Sequence, residues 1–149
     1  MLFKTHLVIG FFVALFFLPN VVHKFLFIPM VLIATILPDI YSAFSKAGNN
    51  YVGRAVQIFT KHRGLLHSFT FCFALTLLLV FYLPTFALPL FLGYATHLLL
   101  DSVTKEGIRP FWPLKKTSQG KLPVGGAVEE AIFMSFVVID LIFLLSFFI

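Results

Sequence analysis

Five apolar runs alternate with polar breaks along the chain: about Leu2–Leu18, Lys24–Pro38, Leu65–Leu83, Phe86–Asp101 and Ala127–Phe148. A membrane-crossing helix needs about 20 mostly apolar residues, with about 17 as a lower bound. The pattern therefore predicts about five transmembrane helices, two of them marginal in length. A short connector holding Pro19, Asn20 and His23 joins the first two runs. The third and fourth meet at Pro84-Thr85, a tight turn that makes them an antiparallel hairpin. Pro29 falls inside the second run, where a membrane helix tolerates proline if neighbours satisfy the freed carbonyl. Two longer polar segments remain. Ser42–Arg63 carries the turn signal Gly48-Asn49-Asn50, with room for a short interfacial helix over Val52–Phe59. Residues 102–127 hold Gly107, Pro110, Pro113, Gly120, Pro123, Gly125 and Gly126, a density of breakers that predicts irregular structure. The expected fold class is all-α: a polytopic membrane helical bundle with about five transmembrane helices and two cytoplasmic polar loops, forming a single domain over 1–149.

The composition agrees with that pattern. The chain is 60% hydrophobic and 11% charged, with 21 Phe and a mean hydropathy of +1.01. Average soluble chains carry about 25% charged residues, so an ordinary soluble protein is excluded. Cys72 is the only cysteine and stands in an apolar run, which rules out a disulfide within one chain and leaves a small core or lipid-facing residue. The start of the chain imitates a secretory signal, with Lys4 ahead of the run Leu7–Leu18. No pair of small residues offers a cleavage site before Pro19-Asn20, so the expectation is an uncleaved first helix that keeps His6.

The net charge of +5 matters through its placement. Lys46, Arg54, Lys61 and Arg63 lie in the first polar loop, and Lys105, Arg109, Lys115, Lys116 and Lys121 in the second. The turn at Pro84 carries no basic residue. By the positive-inside rule both long loops are cytoplasmic. Five spans then place the N-terminus inside, in agreement with Lys4, and the C-terminus outside. The expected location is a cell (inner) membrane, crossed several times.

This topology gathers the rare polar residues. His6 begins the first span, Asp39 ends the second, and His62 and His67 begin the third. His97 and Asp101 end the fourth, and Glu129 and Glu130 begin the fifth. All fall at the cytoplasmic end of their helices. His97 and Asp101 are four residues apart, which on a helix places them on one face with Cβ atoms about 5–6 Å apart. Neutral imidazoles and carboxylates at one depth suit Zn²⁺, with Mn²⁺ or Fe²⁺ less distinctively served. The bland alternative is a polar cluster that only ties helices together, although ionisable residues inside a membrane default to function.

The same residues carry a family resemblance. Thr5-His6, Ile36-Leu37-Pro38-Asp39-Ile40, His62-Arg63-Gly64-Leu65-Leu66-His67-Ser68, the stretch Gly93–Pro113, Lys121-Leu122-Pro123 and Glu129 follow one another in family order. In them the chain resembles the YdjM-like inner-membrane proteins, described as LexA-regulated, membrane-bound metal-dependent hydrolases. The resemblance implies a helical membrane hydrolase with a divalent metal. Where the family reads a second Asp after Asp39-Ile40, this chain has Tyr41, so that the expected site holds one or two ions, and a one-metal site or weaker activity becomes plausible.

The metal ligands expected on these grounds are His6, Asp39, His67, His97 and Asp101. His62 is either a neighbour of the ligands or an acid/base group. Arg63 either obeys the positive-inside rule or clamps a phosphate with its planar fork. Glu129 is a first-turn acid complementing the helix dipole, a ligand, or a general base. Trp112, between two prolines, reads as an interface anchor. Asp140 lies about 15 Å beyond Glu130 at the helical rise, where it either pairs with a polar group such as Thr76 or marks an ion path. The expected function is hydrolysis of a phosphoester of a lipid or lipid-linked substrate by a metal-activated water. Lys105 and Arg109, with Arg63, offset the substrate's charge. Membrane lipids are the expected partners, and basic loops beside a membrane favour anionic lipid heads over nucleic acid. The alternative is a small metal-ion or proton transporter, with Asp140 as its best support.

Overall fold

A computed structural model describes residues 1–47 and 64–147, the side chains of residues 40–47 excepted. Among the described residues are five α-helices: α1 (Phe3–Phe17), α2 (Lys24–Ala47), α3 (Phe69–Tyr82), α4 (Pro84–Ser102) and α5 (Ala127–Ser146). Short 3₁₀ turns cover Leu18–Asn20 and Leu65–His67. Two isolated bridges, Thr104 with Leu122 and Ile108 with Ser118, occur in the second loop, and the described residues form no strand.

The central element is α4. It packs most extensively against α2, meets α3 on another side, and also touches α1. The helix starts at Pro84, where proline's missing N–H is harmless, and it buries Leu90, Gly93, Tyr94, His97, Leu98 and Asp101. Its approach to α2 depends on Gly93. A Cβ there would lie 2.3 Å from the Val31 carbonyl oxygen and 2.8 Å from the Ala34 Cβ, so only glycine permits this separation. At the neighbouring α1–α2 interface, a Cβ on Gly10 of α1 would fall 2.6 Å from Thr35 Oγ1. Small residues thus bring α1, α2 and α4 together at one level, as in closely packed membrane helices.

The outer helices pack differently. Against α1, α5 runs parallel: Lys4 meets Glu130 near the helix starts, and further along Phe12 is edge-on to Phe136 and Phe143 at 5.3 and 5.6 Å between ring centroids. Phe73, Leu77, Leu78, Val80 and Phe81 leave α3 broadly exposed and apolar, and Met134, Val138, Leu141 and Ile142 do the same for α5.

Three expected boundaries shift. The second run does not stop at Pro38. Instead α2 continues through Asp39 to Ala47 with both Pro29 and Pro38 inside it, so Asp39 is a helix-interior residue and Ser42–Arg63 begins as helix. One proline removes one backbone donor, here the one facing the Ala34 carbonyl, and a packed helix survives that loss. The third run is shorter than expected. Ser68 accepts a hydrogen bond from Phe71 N at 3.2 Å and starts α3 there, which leaves His67 in the preceding turn rather than inside the helix. At 14 residues, α3 spans about 21 Å. Among the described residues, Phe3–Asn20 is the segment long and apolar enough to cross a membrane by length and composition, and Phe69–Tyr82 is apolar but shorter. Polar residues lower the others: His97 and Asp101 in α4, and Glu129, Glu130 and Asp140 in α5.

The second loop lacks helix, as its breakers predict, but it is tied down. Ile108 N donates to Ser118 O at 2.8 Å and Ser118 N returns the bond at 2.9 Å. Gly107 adopts φ +63°, a conformation that glycine accepts without strain. Ile108 is buried in a cluster with Cys72, Tyr94, Ala95 and Leu98, so Cys72 is a core residue of the α3–α4 interface.

Candidate metal centre

Four elements deliver side chains to one end of the bundle: His6 from the first turn of α1, Asp39 from α2, His67 from the turn before α3, and His97 with Asp101 from α4. His97 sits at the centre. Its Nδ1 lies 2.8 Å from the Thr35 carbonyl oxygen. A carbonyl only accepts, so Nδ1 carries the proton and Nε2 presents its lone pair. That Nε2 is 3.7 Å from Asp101 Oδ2 and 3.8 Å from Asp39 Oδ1. His67 Nε2 hydrogen-bonds Asp39 Oδ1 at 3.2 Å. On the other flank, His6 Nε2 is 3.2 Å from Asp101 Oδ1. The His6 ring stacks on His97 with centroids 4.0 Å apart, and the His67 ring meets His97 edge-on at 5.4 Å.

The supports of these residues are equally specific. Tyr94 Oη donates to the Leu66 carbonyl at 2.5 Å, fixing the turn that carries His67. Ser68 Oγ donates to the Leu65 carbonyl at 2.5 Å and caps α3, so one side chain closes the turn and opens the helix. Thr104 Oγ1 donates to the Asp101 carbonyl at 2.8 Å and finishes α4. The Thr35 carbonyl that orients His97 belongs to the turn of α2 that Pro38 interrupts.

Donor chemistry and spacing fit a divalent cation. His6, Asp39 and His97 each offer a ligand atom within 4.8 Å of the others, and so do His67, His97 and Asp101. Ligands about 2.0–2.2 Å from a tetrahedral zinc stand about 3.3–3.6 Å apart, close to the 3.2–3.8 Å separations here. The donors therefore form two overlapping triads that share His97. Nε2 of His97 is buried without a hydrogen-bond partner among the described residues, and a bound cation would satisfy that lone pair. A ligating histidine usually donates its other N–H to a carbonyl or carboxylate, and His97 does so to Thr35. Two carboxylates among neutral imidazoles make the centre anionic. The Met1 ammonium, 2.5 Å from Asp101 Oδ1, answers part of that charge.

Access is one-sided. The Asp39 side chain is 38% exposed and His67 partly so, while His6, His97 and Asp101 are buried. The mouth thus lies on the Asp39–His67 side.

Of the sequence-predicted site residues, the structure brings these five together. Glu129 stands beside them in a different role. Its Oε1 accepts from Leu2 N at 2.5 Å and its Oε2 from Gly125 N at 2.7 Å. Both oxygens are spent on backbone groups, and Glu129 clasps the start of α1 to the start of α5. His62 and Arg63 lie outside the described residues, as do the side chain of Tyr41 and the basic residues Lys46, Arg54 and Lys61. Asp140 does not pair with Thr76: both its oxygens are buried without a hydrogen-bond partner among the described residues. Sequence reasoning missed Thr35, Tyr94 and Ser68, which act through backbone carbonyls or caps. The only available signals were a proline within a helix, an aromatic hydroxyl in an apolar run, and a serine ahead of one.

Helices that join through small residues, with apolar flanks and a His–Asp cluster near one end, define a small membrane protein with a candidate cation site. Comparison gives the particular group. The description "YdjM inner membrane protein" matches residues 1–149, and the chain belongs to that family of inner membrane proteins. It is similar to the inner membrane protein YdjM of Escherichia coli (strain K12), 32% identical over 99 residues that cover 59% of this chain and 50% of the relative. The same figures hold for the inner membrane protein YdjM of Shigella flexneri. The aligned part spans about half the length of these curated relatives. No solved structure matches.

Proposed function

We propose that this chain is a multi-pass hydrolase that uses one divalent ion, zinc above manganese or iron, to cleave a phosphoester of a lipid or lipid-linked substrate at the cytoplasmic face. The observation that carries the reading is the convergence of five donors from four elements around His97, whose proton is pinned away from the centre by Thr35.

His6, Asp39, His67, His97 and Asp101 would hold the ion. When bound, it supplies Lewis acidity to a water and to a phosphoryl oxygen. The chain's own groups do the rest. Asp39 and His67 form the rim through which water and substrate enter, while His6, His97 and Asp101 close the floor against bulk solvent. Lys105 and Arg109, exposed on the loop after Asp101, meet the negative charge of the substrate. In this reading His62 is the acid/base group and Arg63 the phosphate contact, both a few residues ahead of His67. Glu129 is a positioning residue, because its two oxygens hold the backbone that carries His6. The broad apolar exposure of α3 and α5 supports lipid contact, and a helix as short as α3 is accommodated by local thinning of the bilayer. The distribution of lysine and arginine supports N-terminus and long loops in the cytoplasm and C-terminus outside.

Elemental analysis of the detergent-purified chain beside His97→Ala, with phosphate release from lipid phosphoesters, tests the reading. Near-stoichiometric zinc and turnover in the parent, both lost in the variant, are expected. Turnover retained in His97→Ala would remove the assignment, and so would failure of zinc, manganese and iron to bind on reconstitution.

A second reading, a metal-ion or proton carrier, is favoured by Asp140, a buried acid deep in α5 at a different level from the cluster. Under the hydrolase reading, the parent chain moves no ions and Asp140→Asn leaves turnover intact. Loss of ion flux into vesicles in that variant would support the carrier.

A further inference from the structure

The second loop is built to present its tip. Its base is closed by Lys105 N donating to Leu122 O at 2.9 Å, and its middle by the reciprocal pair between Ile108 and Ser118. Ile108 is anchored in the α3–α4 core. Phe69 N, at the first turn of α3, donates to the Pro110 carbonyl at 2.8 Å, so the chain is pinned immediately before the tip. Beyond that point Phe111, Trp112 and Leu114 are 57%, 40% and 63% exposed. A turn with Leu114 N donating to Phe111 O at 2.8 Å holds them together. Arg109, Lys115 and Lys116 flank them, all exposed.

An apolar tip in water is unfavourable, and clustered apolar exposure marks a contact surface. Two observations identify what it contacts. The pin to Phe69 sets the tip at the start of α3, whose flank of Phe73 and Leu77 is exposed and apolar; in the multi-pass reading this is the end of the helix where a bilayer gives way to headgroups. Residues 102–126 also carry five basic residues and one acid, Glu106, which complements an anionic leaflet. Aromatic residues are enriched at that depth.

We infer that Phe111, Trp112 and Leu114 insert into the headgroup region of an anionic bilayer, with Arg109, Lys115 and Lys116 binding lipid phosphates around them. The tip is a membrane anchor that fixes the loop after Asp101. This inference rests on the multi-pass reading above and is independent of the metal.

Trp112 is the only tryptophan, so its fluorescence reports the tip alone. The full chain is placed in nanodiscs of phosphatidylcholine, with or without phosphatidylglycerol, and compared with the chain in detergent-free amphipol. In bilayers the emission shifts to the blue, acrylamide quenching falls, and lipids brominated near the headgroup quench it. The variant Lys115→Glu/Lys116→Glu, changed only at exposed loop positions, loses the extra shift that phosphatidylglycerol brings, while its thermal unfolding matches the parent. Emission of a water-exposed indole in every bilayer overturns the inference. Quenching that appears only when soluble protein is added overturns it too and reassigns the tip to a protein contact. Neither outcome bears on metal content, so this test and that of the hydrolase fail separately.

Discussion

Asp101 on α4 and Asp140 on α5 are equally buried, at 3% and 4% exposure, yet their surroundings are opposite. Asp101 faces the Met1 ammonium, His6 and His97 within 2.5–3.7 Å. Neither oxygen of Asp140 has a hydrogen-bond partner among the described residues. The helices explain the contrast. As the centre of the bundle, α4 ends beside the first turn of α1, the Pro38–Asp39 turn of α2 and the turn before α3, so polar groups from all of them meet there. In contrast, α5 packs chiefly on α1, and its middle turn meets apolar side chains. A buried acid by itself therefore identifies no site. Convergence of independent elements upon it does.

The contrast is broken most severely at its polar end. Asp101→Asn removes a ligand that two imidazoles face, and zinc affinity measured by chelator competition is expected to fall by more than about 100-fold, the upper range for losing even an outer partner. An unchanged affinity would show that the cluster holds no ion. Gly93→Ala comes next. The added Cβ overlaps the Val31 carbonyl, and overpacking of this kind costs about 1–3 kcal/mol. It also pushes His97 off Thr35, so the thermal midpoint in detergent and zinc affinity are expected to drop together. A fall in stability alone would separate helix packing from the site. Asp140→Val goes the other way: removing an unpartnered buried acid is expected to raise stability by about 1–3 kcal/mol with zinc content unchanged. Altered zinc content would place both aspartates in one system. Ser68→Ala is the mildest. Loss of a helix cap costs about 1 kcal/mol, and because His67 is carried by the same turn, a small loss of zinc affinity is expected beside the stability change.

Periodicity and charge made much of this legible. The boundaries of α4 and α5 lie within about two residues of their hydropathy limits, because each begins at a breaker, Pro84 and Gly125-Gly126, and α4 ends in a polar turn. The five converging donors were recognisable because His6 and His67 begin the first and third apolar runs while Asp39, His97 and Asp101 end the second and fourth, and runs that reverse direction in succession bring those ends together. What was hidden depended on contacts between distant segments. That α2 continues past Pro38 follows from packing against α4, which no local rule encodes. Placing His67 in a turn depends on Tyr94 reaching Leu66. Nor does an acid in the first turn of a helix disclose that Glu129 is spoken for by Leu2 and Gly125, since those backbone groups are brought to it only by the fold.

The clasp between Glu129 and Leu2 also orders events during biosynthesis. His6 is made long before Glu129, the group that fastens its helix. A nascent chain that has emitted α1 to α4 carries all five donors with one of them still unfastened. Completion of the His–Asp cluster is thereby timed to the arrival of α5.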